Sequence, residues 1–390
     1  MPASKHEPAR HSDRAEPRRL SWLEREITGD AAPVDAAGSD AGGVSCLACT
    51  ARGWDTARTP WPSPTRAVDG GYFPVVGDVN GDGVPDVVFV NEIYGQGLFL
   101  PAIVDVDRDG HADLLALSFV GGGGVSLLRG NGDGTFQAPA TVATGQFSAL
   151  AVGDVTSDGV PDLVVGTMDV EVFAGHIDGT FDAPIAVTTG GTTAVAAIAL
   201  GDVDGDGATD IVAIAGAGTR VMFGDGHGAW RPEIDAPIPA PSLARMSPAL
   251  VDLTGDGKPE LIVGHEVLAG DGAGAFSTPI DPRYRRRGDR SSGLRWRRAS
   301  RPGRGLVGKA TGLHIVDVDS DGRLDILGVG EVGQVTLLTN TGHGAFSETD
   351  MFGIDTEAGV AVTPPVGHAR GNLIVASELG VSVLTPACPM

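Results

Sequence analysis

A nine-residue pattern that recurs six times constrains the fold of this chain more than any other feature. The pattern is D-x-[DNT]-x-D-G-x-x-[DE], and each copy runs directly into a short apolar strand. We number the copies loops 1 to 6, at 78–86, 105–113, 154–162, 202–210, 252–260 and 317–325. Six copies exclude a chance origin and predict a repeat protein.

The chemistry of these loops predicts calcium binding. In loop 4, Asp202, Asp204 and Asp206 place three carboxylates at alternate positions of a tight turn, where they repel one another. Ca²⁺ removes this repulsion because it takes six to eight oxygen ligands. Gly207 permits the bend, since Gly reaches positive φ without steric cost. Asp210 then closes the site from the first residue of the strand.

The predicted ligands occupy positions one, three, five, seven and nine of each loop, the seventh through its backbone carbonyl. They are Asp78, Asn80, Asp82, Val84, Asp86, Asp105, Asp107, Asp109, His111, Asp113, Asp154, Thr156, Asp158, Val160, Asp162, Asp202, Asp204, Asp206, Ala208, Asp210, Asp252, Thr254, Asp256, Lys258, Glu260, Asp317, Asp319, Asp321, Arg323 and Asp325. We expect up to six structural Ca²⁺ ions. Loops with a third-position Asp carry one charge more than those with Thr, so we expect them to bind calcium more tightly.

The acidity of the chain fits this demand for metal. The formal net charge is -22, and the six loops contain 21 of the 50 Asp and Glu residues. Nucleic acid is not expected as a partner, because binding to phosphates needs a net basic face. A carboxylate that ligates calcium stays ionised and cannot transfer protons. The chain also shows no nucleophile elbow, paired-His motif or phosphate loop, so we predict no catalytic residue.

The spacing of the loops predicts an all-β, seven-bladed β-propeller. Loop starts are separated by 27, 49, 48, 50 and 65 residues, and a period near 50 is typical of four-stranded propeller blades. The gap of 27 leaves the first blade incomplete. A seventh loop at 366–372 is degenerate and metal-free, with His368 where the first Asp is expected.

A Gly-rich hairpin also recurs, with an aromatic residue at its end. The copies lie at 130–136, 175–181, 224–230, 270–276 and 340–346. The Gly two places before the aromatic is predicted to adopt a left-handed turn conformation. The aromatic residue is predicted to fill the core between blades, because aromatics dominate buried area.

Three segments define the predicted domain organisation. Residues 1–53 are expected to be a disordered leader, and 54–386 the propeller. An insertion at 283–304 contains ten Arg residues and is either a mobile exposed loop or an RNA-binding arm. The segment 54–68 is expected to supply the missing outer strand of the last blade and to close the ring.

Export of this chain is expected from the calcium loops, which fill most easily outside cells. No secretory signal peptide is visible, and no apolar run is long enough for a membrane helix. Because of the calcium loops, the chain is expected to be secreted or displayed at the cell surface.

Cys46 and Cys49 form a C-x-x-C without a second pair, which favours a local disulfide or idle thiols over a zinc site.

The loops and hairpins together resemble the FG-GAP/VCBS repeat family, whose propellers look like the integrin α-chain headpiece and some seven-bladed lectins. The resemblance covers roughly residues 54–384. It implies a propeller whose metal is structural and whose ligands bind other loops. We expect a non-catalytic, monomeric binding or adhesion module for a protein or carbohydrate. The alternative is an enzyme or enzyme-associated module, hydrolase or lectin-like, on the same propeller.

Overall fold

Twenty-five β-strands account for nearly all the regular structure in the part of the chain that this computed structural model describes. The described residues are 59–60, 71–83, 86–92, 98–118, 122–187, 193–215, 218–237, 248–263, 266–277, 310–318, 321–330, 334–342, 345–353, 359–362, 373–377 and 380–384. The predicted leader (1–53), Arg-rich insertion (283–304) and seventh loop (366–372) lie outside them. Within these ranges no helix has the length and hydrophobicity needed to cross a bilayer.

The described strands form seven antiparallel sheets, and five of the sheets have four strands. Strand β1 (Thr59–Pro60) belongs to the last sheet. Sheet 1 contains β2 (Gly71–Gly77) and β3 (Asp86–Glu92). Sheet 2 contains β4 (Leu98–Val104), β5 (Asp113–Ser118), β6 (Gly124–Leu128) and β7 (Ala140–Thr144). Sheet 3 contains β8 (Ala149–Gly153), β9 (Asp162–Gly166), β10 (Val170–Phe173) and β11 (Ile185–Val187).

The remaining sheets follow in chain order. Sheet 4 contains β12 (Val195–Gly201), β13 (Asp210–Ala215), β14 (Gly218–Gly224) and β15 (Trp230–Pro237). Sheet 5 contains β16 (Ala249–Val251), β17 (Glu260–Val263) and β18 (Glu266–Leu268). Sheet 6 contains β19 (Ala310–Val316), β20 (Asp325–Gly330), β21 (Gln334–Gly342) and β22 (Ala345–Gly353). Sheet 7 contains β23 (Gly359–Val362), β24 (Leu373–Ser377), β25 (Gly380–Leu384) and β1.

The second strands of sheets 2 to 5 are buried on both faces, because alternate side chains pack against different neighbouring sheets. In β9, Leu163 and Val165 pack into a cluster with Leu115 of sheet 2. Val164, between them, packs instead with Ile211 of sheet 4. All three β9 side chains are 0% exposed. The core is therefore a series of apolar layers, each shared by two consecutive sheets.

The first and last of the described strands pair in sheet 7. Strand β1 pairs antiparallel with β25, with Thr59 opposite Val383 and Pro60 opposite Ser382. This pairing confirms the prediction that the segment before loop 1 supplies the outer strand of the last unit. The first strands of successive sheets also contact one another, from β2 to β4, β8, β12 and β16, and β23 contacts β2.

Repeated four-stranded sheets of this kind are consistent with a β-propeller and confirm the all-β prediction. Among the described residues, sheet 1 has only β2 and β3, as the short gap between loops 1 and 2 predicts. The segment 93–97, between β3 and β4, lies outside the described residues.

Candidate metal centres

All six acidic loops occupy the same place in their sheets. Each joins the first strand to the second, and each Gly-rich hairpin joins the third strand to the fourth where both strands are described. Because antiparallel strands alternate in direction, the acidic loop and the hairpin of one sheet lie at the same end of its strands. The acidic loops and hairpins are therefore neighbours.

The first Asp of each loop organises the turn by accepting backbone hydrogen bonds. In loop 4, Asp202 Oδ1 accepts from Gly205 N at 2.6 Å and Asp202 Oδ2 accepts from Gly207 N at 2.9 Å. Asp206 Oδ1 accepts from Ala208 N at 2.9 Å. Gly207 has φ 89°, which confirms that Gly is needed for this bend.

The other loops repeat this arrangement of hydrogen bonds. First-position acceptors and their donors are Asp78 with Gly81 and Gly83, Asp105 with Asp109 and Gly110, Asp154 with Asp158 and Gly159, Asp252 with Gly255 and Gly257, and Asp317 with Asp321 and Gly322. Fifth-position acceptors and seventh-position donors are Asp109 with His111, Asp158 with Val160, Asp256 with Lys258, and Asp321 with Arg323. Val84 and Asp319 lie outside the described residues.

Two loops bring three carboxylates together closely enough for one cation. Oxygens of Asp105, Asp107 and Asp109 lie within 4.8 Å of one another. Oxygens of Asp202, Asp204 and Asp210 do the same. In loop 3, the buried Thr156 hydroxyl has no hydrogen-bond partner among the described residues. These oxygen-only donor sets suit Ca²⁺, which would neutralise the clustered charge and hold the turn closed.

The ninth-position acid has a structural role that the sequence did not predict, because its carboxylate accepts a hydrogen bond from the start of its own loop. One carboxylate oxygen accepts from the backbone N–H of the second loop residue in all six loops. The distances are 3.1 Å from Val79 to Asp86, 3.0 Å from Val106 to Asp113, 2.8 Å from Val155 to Asp162, 2.9 Å from Val203 to Asp210, 2.8 Å from Leu253 to Glu260 and 2.9 Å from Val318 to Asp325.

The other oxygen of the same acid reaches the hairpin. It accepts from the first hairpin residue, at 2.8 Å from Gly130 to Asp113, 2.8 Å from Gly175 to Asp162, 2.9 Å from Gly224 to Asp210 and 2.7 Å from Asn340 to Asp325. These four acids are 0% exposed. The ninth-position acid therefore links loop and hairpin in these four sheets. Asp210 also lies in the carboxylate cluster of loop 4, whereas Asp113 is not part of the cluster in loop 2.

In sheets 2 to 5 the first hairpin residue is Gly, and it lies against the carbonyl of the eighth loop residue. A Cβ at Gly224 would collide with the Thr209 carbonyl, and one at Gly175 with that of Pro161. Sheet 6 has Asn340 there, and its Nδ2 donates to the carbonyl of Leu324, the eighth residue of loop 6, at 3.1 Å. The repeated Gly was a sequence signal for this contact that our prediction did not use.

The hairpins confirm both predictions made for them. The Gly two places before the aromatic has φ between 71° and 86° in the four described copies, which are Gly134, Gly179, Gly228 and Gly274. The aromatic residues pack, partly buried, against the apolar clusters between sheets. They are Phe136, Phe181, Trp230, Phe276 and Phe346.

Arginine side chains contact three of the loops. Arg129 pairs with the Asp107 carboxylate, and Arg323 pairs with Asp321. Arg231 Nη2 lies 2.7 Å from Asp204 Oδ2 and 3.2 Å from Asp206 Oδ2. The sequence analysis did not predict the Arg129 and Arg231 contacts, since these residues lie 22 and 27 positions from the acids that they meet.

Burial raises the pKa of five of the ninth-position acids. The pKa of Asp210 rises to about 6 and that of Glu260 to about 7, mainly through desolvation and despite backbone hydrogen bonds that lower it. The charges of nearby loop Asp residues also raise both values. The pKa values of Asp86, Asp113 and Asp162 are raised with the same leading cause.

These pKa shifts predict that the ninth-position acids affect the stability of the protein in opposite ways, with rising pH, in the absence and in the presence of calcium. In metal-free protein, Asp210 and Glu260 bind protons more tightly when folded than when unfolded, so between about pH 4 and 7 their contribution to stability falls as pH rises. Calcium needs the ionised acids, so calcium stabilisation should grow over the same range. The difference between the melting temperatures in calcium and in chelator should therefore grow from pH 5.0 through 6.0 to 7.5. Parallel curves would contradict this prediction.

Comparison with known proteins identifies the repeats. A family model described as an FG-GAP-like repeat matches 105–165 and 202–263, and each match begins at the first Asp of an acidic loop. None of the curated proteins compared with this chain matches it.

Several solved structures have a similar fold. An Agrocybe aegerita lectin that recognises non-reducing terminal N-acetylglucosamine is 20% identical, with a TM-score of 0.50 over 74% of this chain and 81% of the lectin. The BP39L lectin from Burkholderia pseudomallei is 14% identical, with a TM-score of 0.53 over 81% and 92%. BBS1N, solved in complex with ARL6DN, is 11% identical, with a TM-score of 0.52 over 84% and 95%. At such identities the similarity establishes fold alone. The chain therefore carries FG-GAP-like repeats, at 105–165 and 202–263, in an all-β fold shared with propeller lectins.

Proposed function

We propose that this chain is a non-catalytic, calcium-stabilised, seven-bladed β-propeller that binds carbohydrate outside cells or at the cell surface. The observation that carries the proposal is the similarity of its fold to two propeller lectins, over 74% and 81% of the chain. Specificity in such folds lies in loops rather than in the scaffold, so the individual sugar differs from protein to protein.

Closure of the ring is supported by contacts at the junction of sheets 7 and 1. The β1–β25 pairing joins the two ends of the chain, and β23 lies against β2. A closed ring leaves only short sheet edges, which protects the protein from edge-to-edge association.

A non-catalytic role is supported by the hydrogen bonding of the acids with raised pKa. Perturbed carboxylates often mark catalytic sites. Here the pKa of Asp210 is raised mainly by burial, and both of its oxygens accept buried backbone N–H groups, from Val203 and Gly224, as expected for a carboxylate with a structural role.

A glycan array probed in millimolar calcium tests the proposed ligand class. We expect binding to a restricted set of glycans, with N-acetylglucosamine-terminated glycans included on the array, and loss of binding after chelation as the fold loosens. Folded protein, verified by circular dichroism, that binds no glycan above background would overturn the carbohydrate proposal. A protein ligand would then be the next class to test.

A further inference from the structure

Two arginines form ion pairs with the third-position carboxylates of loops 2 and 4. They do so from different positions in their sheets. Arg129 stands immediately before its hairpin, contacts Asp107 and also donates from Nη2 to the Asp178 carbonyl of sheet 3 at 2.7 Å. Arg231 follows the hairpin aromatic of sheet 4. Its guanidinium lies 2.7 Å from Asp204.

Both arginines are held in place by neighbouring groups. The Arg231 guanidinium carbon is 5.0 Å from the centre of the Phe223 ring, a cation–π contact that positions it. Phe223 occupies in sheet 4 the place that Arg129 has in sheet 2, directly before the hairpin. Two unrelated positions therefore deliver one positive charge to the same point of a loop.

Loops with a third-position Thr have no arginine at either of these two positions. In sheets 3 and 5 the residue before the hairpin is Ala174 or Ala269, and the residue after the aromatic is Asp182 or Ser277. The four carboxylates of loop 2 or loop 4, less the one paired with arginine, leave three. Three is also the number of carboxylates in loops 3 and 5.

We propose that Arg129 and Arg231 are built-in counter-cations that bring loops 2 and 4 to the charge of the three-carboxylate loops. The inference rests on the calcium binding proposed above. Without metal, the arginine relieves repulsion among the carboxylates. With metal, it opposes a second cation in the same loop. The extra Asp therefore does not tighten calcium binding as a simple count of charges predicts.

Removing the arginine should raise the calcium affinity of the loop and lower the metal-free melting temperature of the protein. A unit charge about 6 Å from a divalent ion in water opposes binding by roughly a factor of ten. Arg231→Gln should therefore create one site that binds calcium about tenfold more tightly, seen by competition with a chromophoric chelator at low salt. High salt should shrink the difference. The metal-free melting temperature of the same variant should fall by about 2 °C.

The chain itself supplies the matched controls. Asp204→Thr combined with Arg231→Ser reproduces the residues of sheet 5, and it should lack the gain in calcium affinity that Arg231→Gln shows. Arg220→Gln removes the same charge from the middle of β14, where Arg220 is in register with Asp235, and should leave the calcium affinity unchanged.

Each outcome decides between proposals. Unchanged or weaker calcium binding by Arg231→Gln, with an unchanged metal-free melting temperature, overturns the counter-cation role. If wild-type protein binds no calcium at all, the calcium proposal fails. The metal-free melting temperature then still tests the arginine, since its relief of repulsion needs no metal.

Discussion

Replacing Asp210 with Ala is expected to destabilise the protein by about 3–5 kcal/mol even when no metal is present. Asp210 is 0% exposed, and its oxygens accept from Val203 N and Gly224 N, both at 2.9 Å. Ala leaves these two buried donors without a partner and separates loop 4 from its hairpin. Relief of the buried negative charge offsets only part of this loss.

Asp206→Ala in the same loop is the matched control. Asp206 is exposed, and its Oδ1 accepts from Ala208 N at 2.9 Å, a bond that water can replace. In chelator we expect a loss below about 1 kcal/mol for this variant. Urea unfolding in chelator at pH 7.5 compares the two. Equal effects would show that Asp210 serves only as a metal ligand.

Deleting residues 1–70 should lower the melting temperature by about 5–10 °C. The deletion removes β1, so β25 loses one of its two antiparallel partners and becomes the unprotected edge strand of sheet 7. It ends just before β2 and leaves sheet 1 intact. Differential scanning calorimetry in calcium measures the change.

The shorter deletion of residues 1–45 retains β1 and serves as the control. We expect it to change the melting temperature by less than about 2 °C, because it removes only the predicted leader. Closure through β1 is refuted if the two deletions have the same effect.

Local pattern predicted much of this structure. The loops, the hairpin Gly and the aromatic plugs depend on residues within a few positions of one another. The pairing of β1 with β25 was also predictable, because the last unit lacks one strand and a segment near the start of the chain is left over.

Contacts between distant residues could not be predicted in the same way. The hydrogen bond from Gly175 N to Asp162 Oδ1 spans 13 residues, and the repeated Gly was the sequence signal that indicated it. Arg129 and Arg231 reach equivalent carboxylates from unequal positions, so no repeated motif marks them. Such contacts follow from the packing of each loop against its hairpin, which the spacing of residues does not specify.

We propose that calcium in the acidic loops stabilises this fold. One site contributes about 2.7 kcal/mol at a calcium concentration 100 times its dissociation constant, and several sites act together. The direct measurement is a thermal melt in 2 mM calcium and in chelator at pH 7.5, with bound metal counted by elemental analysis. We expect several calcium ions per chain and a melting temperature at least about 10 °C higher in calcium. An unchanged melting temperature with no bound calcium would contradict it.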